Sequence, residues 1–359
     1  MKGALVHQLT AGFARGDAIS HEAMALGKVC RDAGFQSRIY APAGRIAPDS
    51  AGDVCPLSEC RPSAEDIVIL HYSIESKATD VFLRAAGRRV LLYHNITPAE
   101  FYEPYDSEVA GALRRAREAL PEVLRAAHAV WADSAFNASE LQAMGAARAR
   151  VFPLIFSPEP LDIPPDPALF SRFAGEWTNI LFVGRIAPNK RIEDLIEAFA
   201  WFHRNISQSS RLIVAGSDRS APAYFAMLRM YALELDLDSV LFVRFVSPEG
   251  LAACYRSAHL FVTTSLHEGY CLPLLEAMHM GVPVIAHGVG GVPEALGGAG
   301  VMYDGLDNRQ LAALFAEVLS NPELRSRILE SQRQRMRQIY ARSVGAEFLS
   351  LVSEIAPEG

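Results

Sequence analysis

The segment Glu268-Gly-Tyr-Cys-Leu-Pro-Leu-Leu-Glu276 decides how this sequence is interpreted, because it joins a strand to a helix and places two carboxylates at the junction. It follows an apolar, β-like run, His259–Ser265, and Pro273 suits the first turn of a helix. Unpaired backbone N–H groups at such a helix start favour an anion. Two glutamates beside an anion site must hold neutral hydroxyl groups, so the segment indicates a ligand with both phosphate and hydroxyls, such as a sugar phosphate.

Outside this segment, short apolar runs alternate with longer amphipathic ones, which is typical of α/β units with parallel sheets. The predicted strands of the first half are Gly3–His7, Gln36–Tyr40, Asp66–Leu70, Arg89–Tyr93, Ala129–Ala132 and Arg150–Pro153. Those of the second half are Asn179–Val183, Arg211–Ala215, Val240–Val246, His259–Thr263 and Val282–Ala286. Helices are predicted over Ile19–Arg31, Glu108–Ala127, Ala135–Met144 and, without interruption, Asn321–Ala356.

A proline-rich stretch, Phe156–Pro167, separates the two halves and predicts a stiff, extended linker. We therefore expect four parts: an N-terminal Rossmann-like domain (1–156), a linker (157–178), a second doubly wound domain (179–340) and a C-terminal helix (341–359) that returns to the first domain. Ligands of such folds lie at the carboxyl ends of the strands, so we expect the two domains to face each other across a ligand-binding cleft.

Composition excludes several classes of protein. The chain has 359 residues and a net charge of −7, which disfavours binding to the phosphate backbone of nucleic acids. Its five cysteines are odd in number and show no Cys-x-x-Cys spacing, so we expect free thiols in a reducing cytoplasm and no metal site. We see neither a secretory signal nor an apolar run long enough to span a membrane.

Two basic residues after the first strand of the second half are the best candidates for binding phosphate. Arg185 follows the strand and a glycine, and Lys190 comes five residues later, with Asn189 as the predicted N-cap of the next helix. The alternative is an exposed loop with two unrelated charges. No Gly-Lys-Ser/Thr phosphate loop is present, and Gly288–Glu294 does not fit the dinucleotide fingerprint.

Histidines end two strands of the first half. His94 follows Arg89–Tyr93 and is predicted to face the ligand, whereas His71 follows Asp66–Leu70 and is the weaker candidate. Ser134 is predicted to cap a helix. Gly16 lies in the first strand-to-helix loop, where glycine would let the backbone approach a phosphate or sugar, although an ordinary flexible loop explains it as well.

These motifs together resemble the retaining glycosyltransferases of family four, which have the GT-B fold and belong with the glycogen synthases and mannosyltransferases. The resemblance is strongest over Glu268–Ile285 and extends through Gly290–Glu294. Gly184-Arg185 with Lys190 is similar to the family's diphosphate motif, and Tyr93-His94-Asn95 to its N-domain histidine motif.

The resemblance implies a role for each matching residue. Arg185 and Lys190 would stabilise the departing diphosphate, Glu276 would bind the ribose, and Glu268 and His94 would lie beside the transferred sugar. Further donor contacts would come from Gly16, Val246, Gly269, Tyr270, Cys271 and Leu272, and acceptor contacts from His71 and His94. The resemblance implies neither a metal nor a cofactor, since the nucleotide sugar is a substrate. Arg244 departs from the family pattern, which has glycine at this place.

The implied partners are a UDP- or GDP-sugar donor and a glycan, lipid-linked glycan or other hydroxyl acceptor, as in polysaccharide or glycoconjugate synthesis, and no nucleic acid. Arginines within Leu113–Ala119 also suggest peripheral contact with the inner face of a membrane, against the alternative of a solvated helix face. Two other functions stay open: a catalytically silent nucleotide-sugar-binding subunit, and a GT-B enzyme of another type, such as an epimerase or a phosphorylase.

Overall fold

The structure is a computed structural model that describes residues 5–244 and 246–356. It divides into two compact units. The N-terminal unit contains the residues up to Glu100, Ser107–Ile155 and the residues from Arg342 onward; the C-terminal unit contains Phe101–Asp106 and Phe156–Ala341.

Thirteen strands are present in the described part of the chain. They are β1 Leu5–Leu9, β2 Gln36–Ala41, β3 Cys55–Pro56, β4 Ile67–Tyr72, β5 Arg88–Tyr93, β6 Ala129–Ala132, β7 Arg150–Val151, β8 Thr178–Val183, β9 Ser210–Ala215, β10 Val240–Val243, β11 Leu260–Thr263, β12 Val284–His287 and β13 Val301–Tyr303. The predicted strands match these within a few residues, except that β3 and β13, of two and three residues, carry too little pattern to be predicted. The predicted residues Gly3, Ala4 and Phe245 lie outside the described residues.

The helices that connect the strands alternate with them along the chain. They are α1 Ala18–Asp32, α2 Lys77–Arg84, α3 Ser107–Ala126, α4 Ala135–Ala143, α5 Pro167–Phe173, α6 Ile192–Asn205, α7 Pro222–Glu234, α8 Pro248–Ser257, α9 Leu272–His279, α10 Val292–Leu296, α11 Asn308–Ser320, α12 Pro322–Ala341 and α13 Val344–Ile355. The predicted cap of α4 is confirmed, because the Ser134 hydroxyl accepts the Asn137 N–H at 3.1 Å.

Both sheets are parallel and doubly wound, as predicted. The strand order is β3-β2-β1-β4-β5-β6-β7 in the N-terminal unit and β10-β9-β8-β11-β12-β13 in the C-terminal unit. The order reverses between β1 and β4 in the first sheet and between β8 and β11 in the second. Loops diverge at such a switch point and leave a crevice at the carboxyl edge of the sheet, which is where ligands of doubly wound folds bind.

The predicted linker, residues 157–178, contains a short helix that begins at the last proline of the stretch Phe156–Pro167. Helix α5 occupies Pro167–Phe173, with Pro167 in its first turn, where proline has no N–H to lose. Asp166 caps this helix by accepting the Leu169 N–H at 2.8 Å. A run of prolines therefore sets the start of a short helix here.

The predicted continuous C-terminal helix is also wrong, because the chain leaves helical geometry between α12 and α13. Helix α12 belongs to the C-terminal unit and α13 to the N-terminal unit. Phe348 of α13 is fully buried against the rings of Trp131 and Phe152, with centroids 6.0 and 5.9 Å away. The apolar face of α13 thus completes the core of the N-terminal unit.

Replacing Phe348 with alanine should lower the free energy of unfolding by about 3–5 kcal/mol, because it opens a cavity among packed aromatic rings. Urea denaturation followed by circular dichroism measures this. The matched control is Phe136→Ala: that ring is 39% exposed, and we expect a change below about 1 kcal/mol. Equal losses in the two variants would contradict the packing of α13 described above.

Candidate active site

The loops that follow β8 and β11, at the switch point of the C-terminal unit, are fastened to each other. The backbone carbonyl of Asn189 accepts the Leu266 N–H at 2.9 Å, and the Asn189 side-chain amide donates to the carbonyl of His267 at 3.0 Å. The Thr264 hydroxyl donates to the carbonyl of Arg191 at 2.8 Å. Asn189 was predicted to be the N-cap of α6, and this prediction is wrong. Arg191 holds the N-cap position, with φ of 50°.

A buried ion pair lies inside this double loop. The Lys190 ammonium is 2.6 Å from Oε1 of Glu268, whose carboxylate also accepts the Ser265 hydroxyl at 2.7 Å and a hydrogen bond from the Cys271 thiol. Burial by itself raises the pKa of Glu268, but Lys190 and the hydrogen bonds outweigh it and hold this pKa below its ordinary value. Glu268 is therefore a fixed, oriented anion, and most of its charge is compensated inside the protein.

The backbone around Glu268 fits a second loop, which contains Gly290 and Gly291. The Gly291 N–H donates to the carbonyl of Glu268 at 3.0 Å. A Cβ added at Gly290 would lie 2.1 Å from the Glu268 oxygen, and one at Gly291 would lie 2.0 Å from the Gly269 oxygen. These glycines are needed because the loops after β11 and β12 approach each other at backbone distance. Sequence reasoning identified the glycine turn but not this reason for it.

Helix α9 begins immediately after the Glu268 loop, as predicted. Cys271 precedes it with φ of 76°, a left-handed conformation that side chains other than glycine rarely adopt. Tyr270 is buried, whereas Gly269, Cys271 and Leu272 are half-buried at the loop surface.

The second glutamate, Glu276, lies on α9 and accepts the Tyr255 hydroxyl at 2.7 Å. Burial raises the pKa of Glu276, and the Tyr255 hydrogen bond only partly opposes this. Tyr255 is fully buried on α8 and was not predicted from the sequence, since 21 residues separate it from its partner. The two glutamates thus differ: Glu268 is paired with a cation, and Glu276 is held by a neutral phenol.

The other predicted donor residues of this unit lie along the same edge of the sheet. Arg185 is exposed directly after β8, and Val246 is half-buried after β10. Arg244 pairs with the buried Asp218 at 2.8 Å and lies over the Phe225 ring, with 5.0 Å between the guanidinium carbon and the ring centroid. The departure at residue 244 therefore adds a guanidinium group that is paired with Asp218.

The N-terminal unit has a separate polar cluster at the carboxyl edge of its sheet. His71 Nδ1 is 2.9 Å from His94 Nε2, and His94 Nδ1 is 3.2 Å from an oxygen of Asp133. The other nitrogen of His71 is 3.0 Å from Oε1 of Gln8. All four ring nitrogens therefore have partners within the unit.

His71, which is predicted to contact the acceptor, is only 1% exposed. The His94 side chain is 4% exposed, and both of its nitrogens are bonded inside the unit. Gly16 has φ of +83° in the turn before α1, and the space into which a side chain would extend there is open.

The arginines proposed to contact a membrane do not form one free face. Arg117 pairs with Glu140 and donates to the carbonyl of Ile96 at 3.1 Å, while Arg115 lies 3.3 Å from Glu75. Among the helices described, none combines the length and apolar character that crossing a membrane requires. No set of three or more residues suited to hold a metal ion occurs within 5–244 and 246–356.

Comparison with known proteins finds relatives of this chain among glycosyltransferases. Residues 171–335 match the family described as glycosyl transferases group 1. D-inositol 3-phosphate glycosyltransferase of Corynebacterium efficiens is 32% identical over 49% of this chain and 42% of its own length. The mannosyltransferase WbdA of Escherichia coli is 28% identical over 40% of this chain and 17% of its own. The chain thus spans less than half the length of these curated relatives.

Solved structures extend the likeness to the whole chain. Sucrose-phosphate synthase from Thermosynechococcus elongatus superimposes with a TM-score of 0.74 at 17% identity, covering 98% of both chains. Anabaena HepE in complex with UDP-glucose gives 0.73 at 19% identity, covering 98% of this chain and 99% of its own. The two doubly wound units define the GT-B fold. The match of residues 171–335 relates the C-terminal unit to the glycosyl transferases of group 1.

Replacing Lys190 with methionine should lower the free energy of unfolding by about 3–5 kcal/mol at neutral pH, because it leaves the Glu268 carboxylate buried without its cation. Since Lys190 lowers the pKa of Glu268, the difference from wild type should be largest at neutral pH and shrink as the pH falls through that lowered pKa. Urea denaturation at several pH values measures both effects.

Two further variants control this prediction. Lys28→Met removes the exposed Lys28–Asp32 pair and should cost less than about 1 kcal/mol. The double variant Lys190→Met/Glu268→Gln should regain part of the loss. A Lys190→Met protein as stable as wild type would mean that the pair does not hold the two loops together.

Proposed function

We propose that this protein is a retaining glycosyltransferase of family four. It transfers a sugar from a nucleotide-diphospho-sugar to a hydroxyl of a glycan, a lipid-linked glycan or a related acceptor. The observation that carries this proposal is the buried Lys190–Glu268 pair at the switch point of the C-terminal sheet, between the β8 and β11 loops. The match of residues 171–335 to group 1 glycosyl transferases supports it.

In this proposal the basic groups stabilise the leaving diphosphate. Glycosyl transfer passes through an oxocarbenium-like state in which negative charge grows on the departing phosphate. Exposed Arg185 supplies the several N–H donors of its guanidinium group, and Lys190 supplies a nearby positive charge. The start of α9 supplies unpaired backbone N–H groups. Because these groups are held in place before the reaction, they oppose the growing charge without reorganisation. We propose that no metal takes part.

The glutamates bind hydroxyl groups of the donor. Glu276 binds the ribose hydroxyls; its raised pKa marks a carboxyl that burial leaves short of compensating charge, so hydroxyl donors suit it. Glu268 is oriented by Lys190 and Ser265 and binds the transferred sugar. The half-buried backbone of Gly269, Cys271 and Leu272 provides further contacts to sugar and phosphate.

The donor, the acceptor and the cellular location of the reaction are proposed from the relatives. Among them are enzymes named for inositol phosphate and for O-antigen mannose chains, and HepE binds UDP-glucose. A UDP- or GDP-sugar is therefore the proposed donor, and a soluble or lipid-linked sugar the acceptor. We place the reaction in the cytoplasm, with the inner membrane face as the place where lipid-linked acceptors are met.

Replacing Arg185 with alanine should lower kcat on the order of 10²–10³-fold at saturating donor, because one preorganised charge contact to the leaving group is lost. Transfer from a labelled donor measures kcat, and NMR of the product should show the donor's anomeric configuration retained. Arg309→Ala, an exposed arginine on α11, is the matched control and should leave kcat unchanged. Activity of Arg185→Ala within about twofold of wild type would overturn its assigned role.

Donor identity can be tested without an acceptor. In thermal unfolding with UDP, GDP, ADP and their sugar conjugates, one nucleotide series should stabilise the protein by about 2.7 kcal/mol at 100 times its Kd. Glu276→Ala should reduce this stabilisation, because the ribose contact is lost. Binding without turnover on a broad acceptor panel would favour the silent subunit, and the absence of stabilisation by every nucleotide would contradict the proposal itself.

A further inference from the structure

The polar cluster of the N-terminal unit crosses four neighbouring strands at their carboxyl ends. Gln8 lies on β1, His71 on β4, His94 directly after β5 and Asp133 directly after β6. The contacts run in one line: Gln8 to His71 at 3.0 Å, His71 to His94 at 2.9 Å and His94 to Asp133 at 3.2 Å. We call this line of four side chains the relay.

Both ends of the relay can only accept hydrogen bonds. The Gln8 amide nitrogen donates to the carbonyl of Ala23 at 2.8 Å and to the hydroxyl of Ser37 at 3.3 Å, so its oxygen faces His71. At the other end, the second oxygen of Asp133 accepts the Asn137 amide, which leaves a carboxylate oxygen facing His94.

Counting protons along the relay gives a definite result. Three hydrogen bonds join the two acceptor ends through two imidazole rings, and each bond needs one proton. Two neutral imidazoles carry only two N–H groups. Two neutral histidines and a carboxylate are therefore one proton short. All three bonds form only if the relay holds one additional proton.

The position of that extra proton follows from burial. His71 is fully buried, and burial, followed by the effect of His94, lowers its pKa well below the ordinary value. His71 is therefore neutral and accepts from His94 through Nδ1. If the relay holds the extra proton, its place is between His94 and Asp133, where a carboxylate oxygen faces the ring at 3.2 Å.

Neighbouring groups do not compete for this arrangement. Glu22 of α1 is near enough to Asp133 to be affected by its charge. Burial raises the pKa of Glu22 to about 8, the hydrogen bond from the Ile155 N–H opposes this rise, and the charge of Asp133 adds to it. Glu22 is thus neutral at pH 7 and leaves Asp133 the anion of this cluster. Beyond Asn137, the Asn95 amide donates hydrogen bonds to Asn137 and to Glu140. The charge of Glu140 is paired with that of Arg117.

We propose that Gln8, His71 and Asp133 are positioning residues that keep His94 as an imidazolium ion at the carboxyl edge of the N-terminal sheet. His94 then works in glycosyl transfer as a fixed, charged and non-transferring group, since neither ring nitrogen is available to take a proton from an acceptor. The effect on catalysis rests on the proposed function, whereas the protonation state of His94 does not.

A second histidine–aspartate pair in the same sheet is an internal control. His7 Nε2 lies 3.3 Å from Asp66, but Nδ1 of His7 faces the thiol of Cys60 at 3.7 Å. Because a thiol can donate, this pair is satisfied by a neutral imidazole. Burial lowers the pKa of His7 despite its carboxylate partner.

NMR of protein labelled with ¹⁵N-histidine tests the protonation state directly. At a pH of about 8, where ordinary histidines are neutral, one ring should show two protonated nitrogens. We expect this signal in the wild type and in His71→Gln, because the glutamine amide can donate to Gln8 and accept from His94. We expect the signal to be lost in His94→Gln and in Asp133→Asn. His7 should be neutral. A neutral His94 in the wild type would overturn the inference.

The pH dependence of kcat/KM tests the catalytic part. Asp133→Asn should move the alkaline limb of the profile by about 1–3 pH units to lower pH, because the counter-charge of the imidazolium is removed. His71→Gln should leave that limb in place, and His71→Leu should lower kcat/KM roughly 10–100-fold at pH 7.

An unchanged pH profile in Asp133→Asn, with the NMR signal lost as expected, would refute the positioning role. Absence of any transfer in wild type, with the NMR signal present, would instead count against the proposed function.

Discussion

The close approach of loop backbones around Glu268 is the constraint on which the C-terminal unit depends. Three loops, after β8, β11 and β12, meet where the sheet reverses its order, and their contacts are made largely by main-chain atoms. Main-chain contacts at this distance tolerate only glycine at residues 290 and 291. With the backbones fixed in this way, Lys190 and Glu268 pair with each other inside the loops, and the outer surface of the loop is left for a ligand.

The positions of most strands were predictable, because buried parallel strands consist of short runs of apolar residues. The roles proposed for Arg185, Lys190, Glu268 and Glu276 rest on a resemblance between motifs, since each residue lies in a segment that has its own signature. What the sequence does not reveal is pairing. Lys190 and Glu268 are 78 residues apart, and His94 and Asp133 are 39 apart, so only the folded sheet shows that they touch.

The differences between the expected and the observed structure have local physical causes. Prolines favour an extended chain after Phe156, but Pro167 sits in the first turn of α5, where its ring is tolerated. Asparagine favours cap positions, but the Asn189 amide instead makes a link across to His267. His71 ends a strand in the manner of a ligand contact, and the structure buries it with its ring nitrogens facing Gln8 and His94.

The assignment of α13 to the N-terminal unit has a consequence for how the protein is made. Synthesis proceeds from the first residue, and domains generally fold as units while the ribosome is still at work. The C-terminal unit is complete once Ala341 has emerged, but the N-terminal core still lacks Phe348 and Val352 at that moment. The half that is translated first is therefore the half that matures last, and until then its uncovered aromatic surface is open to chaperones and to aggregation.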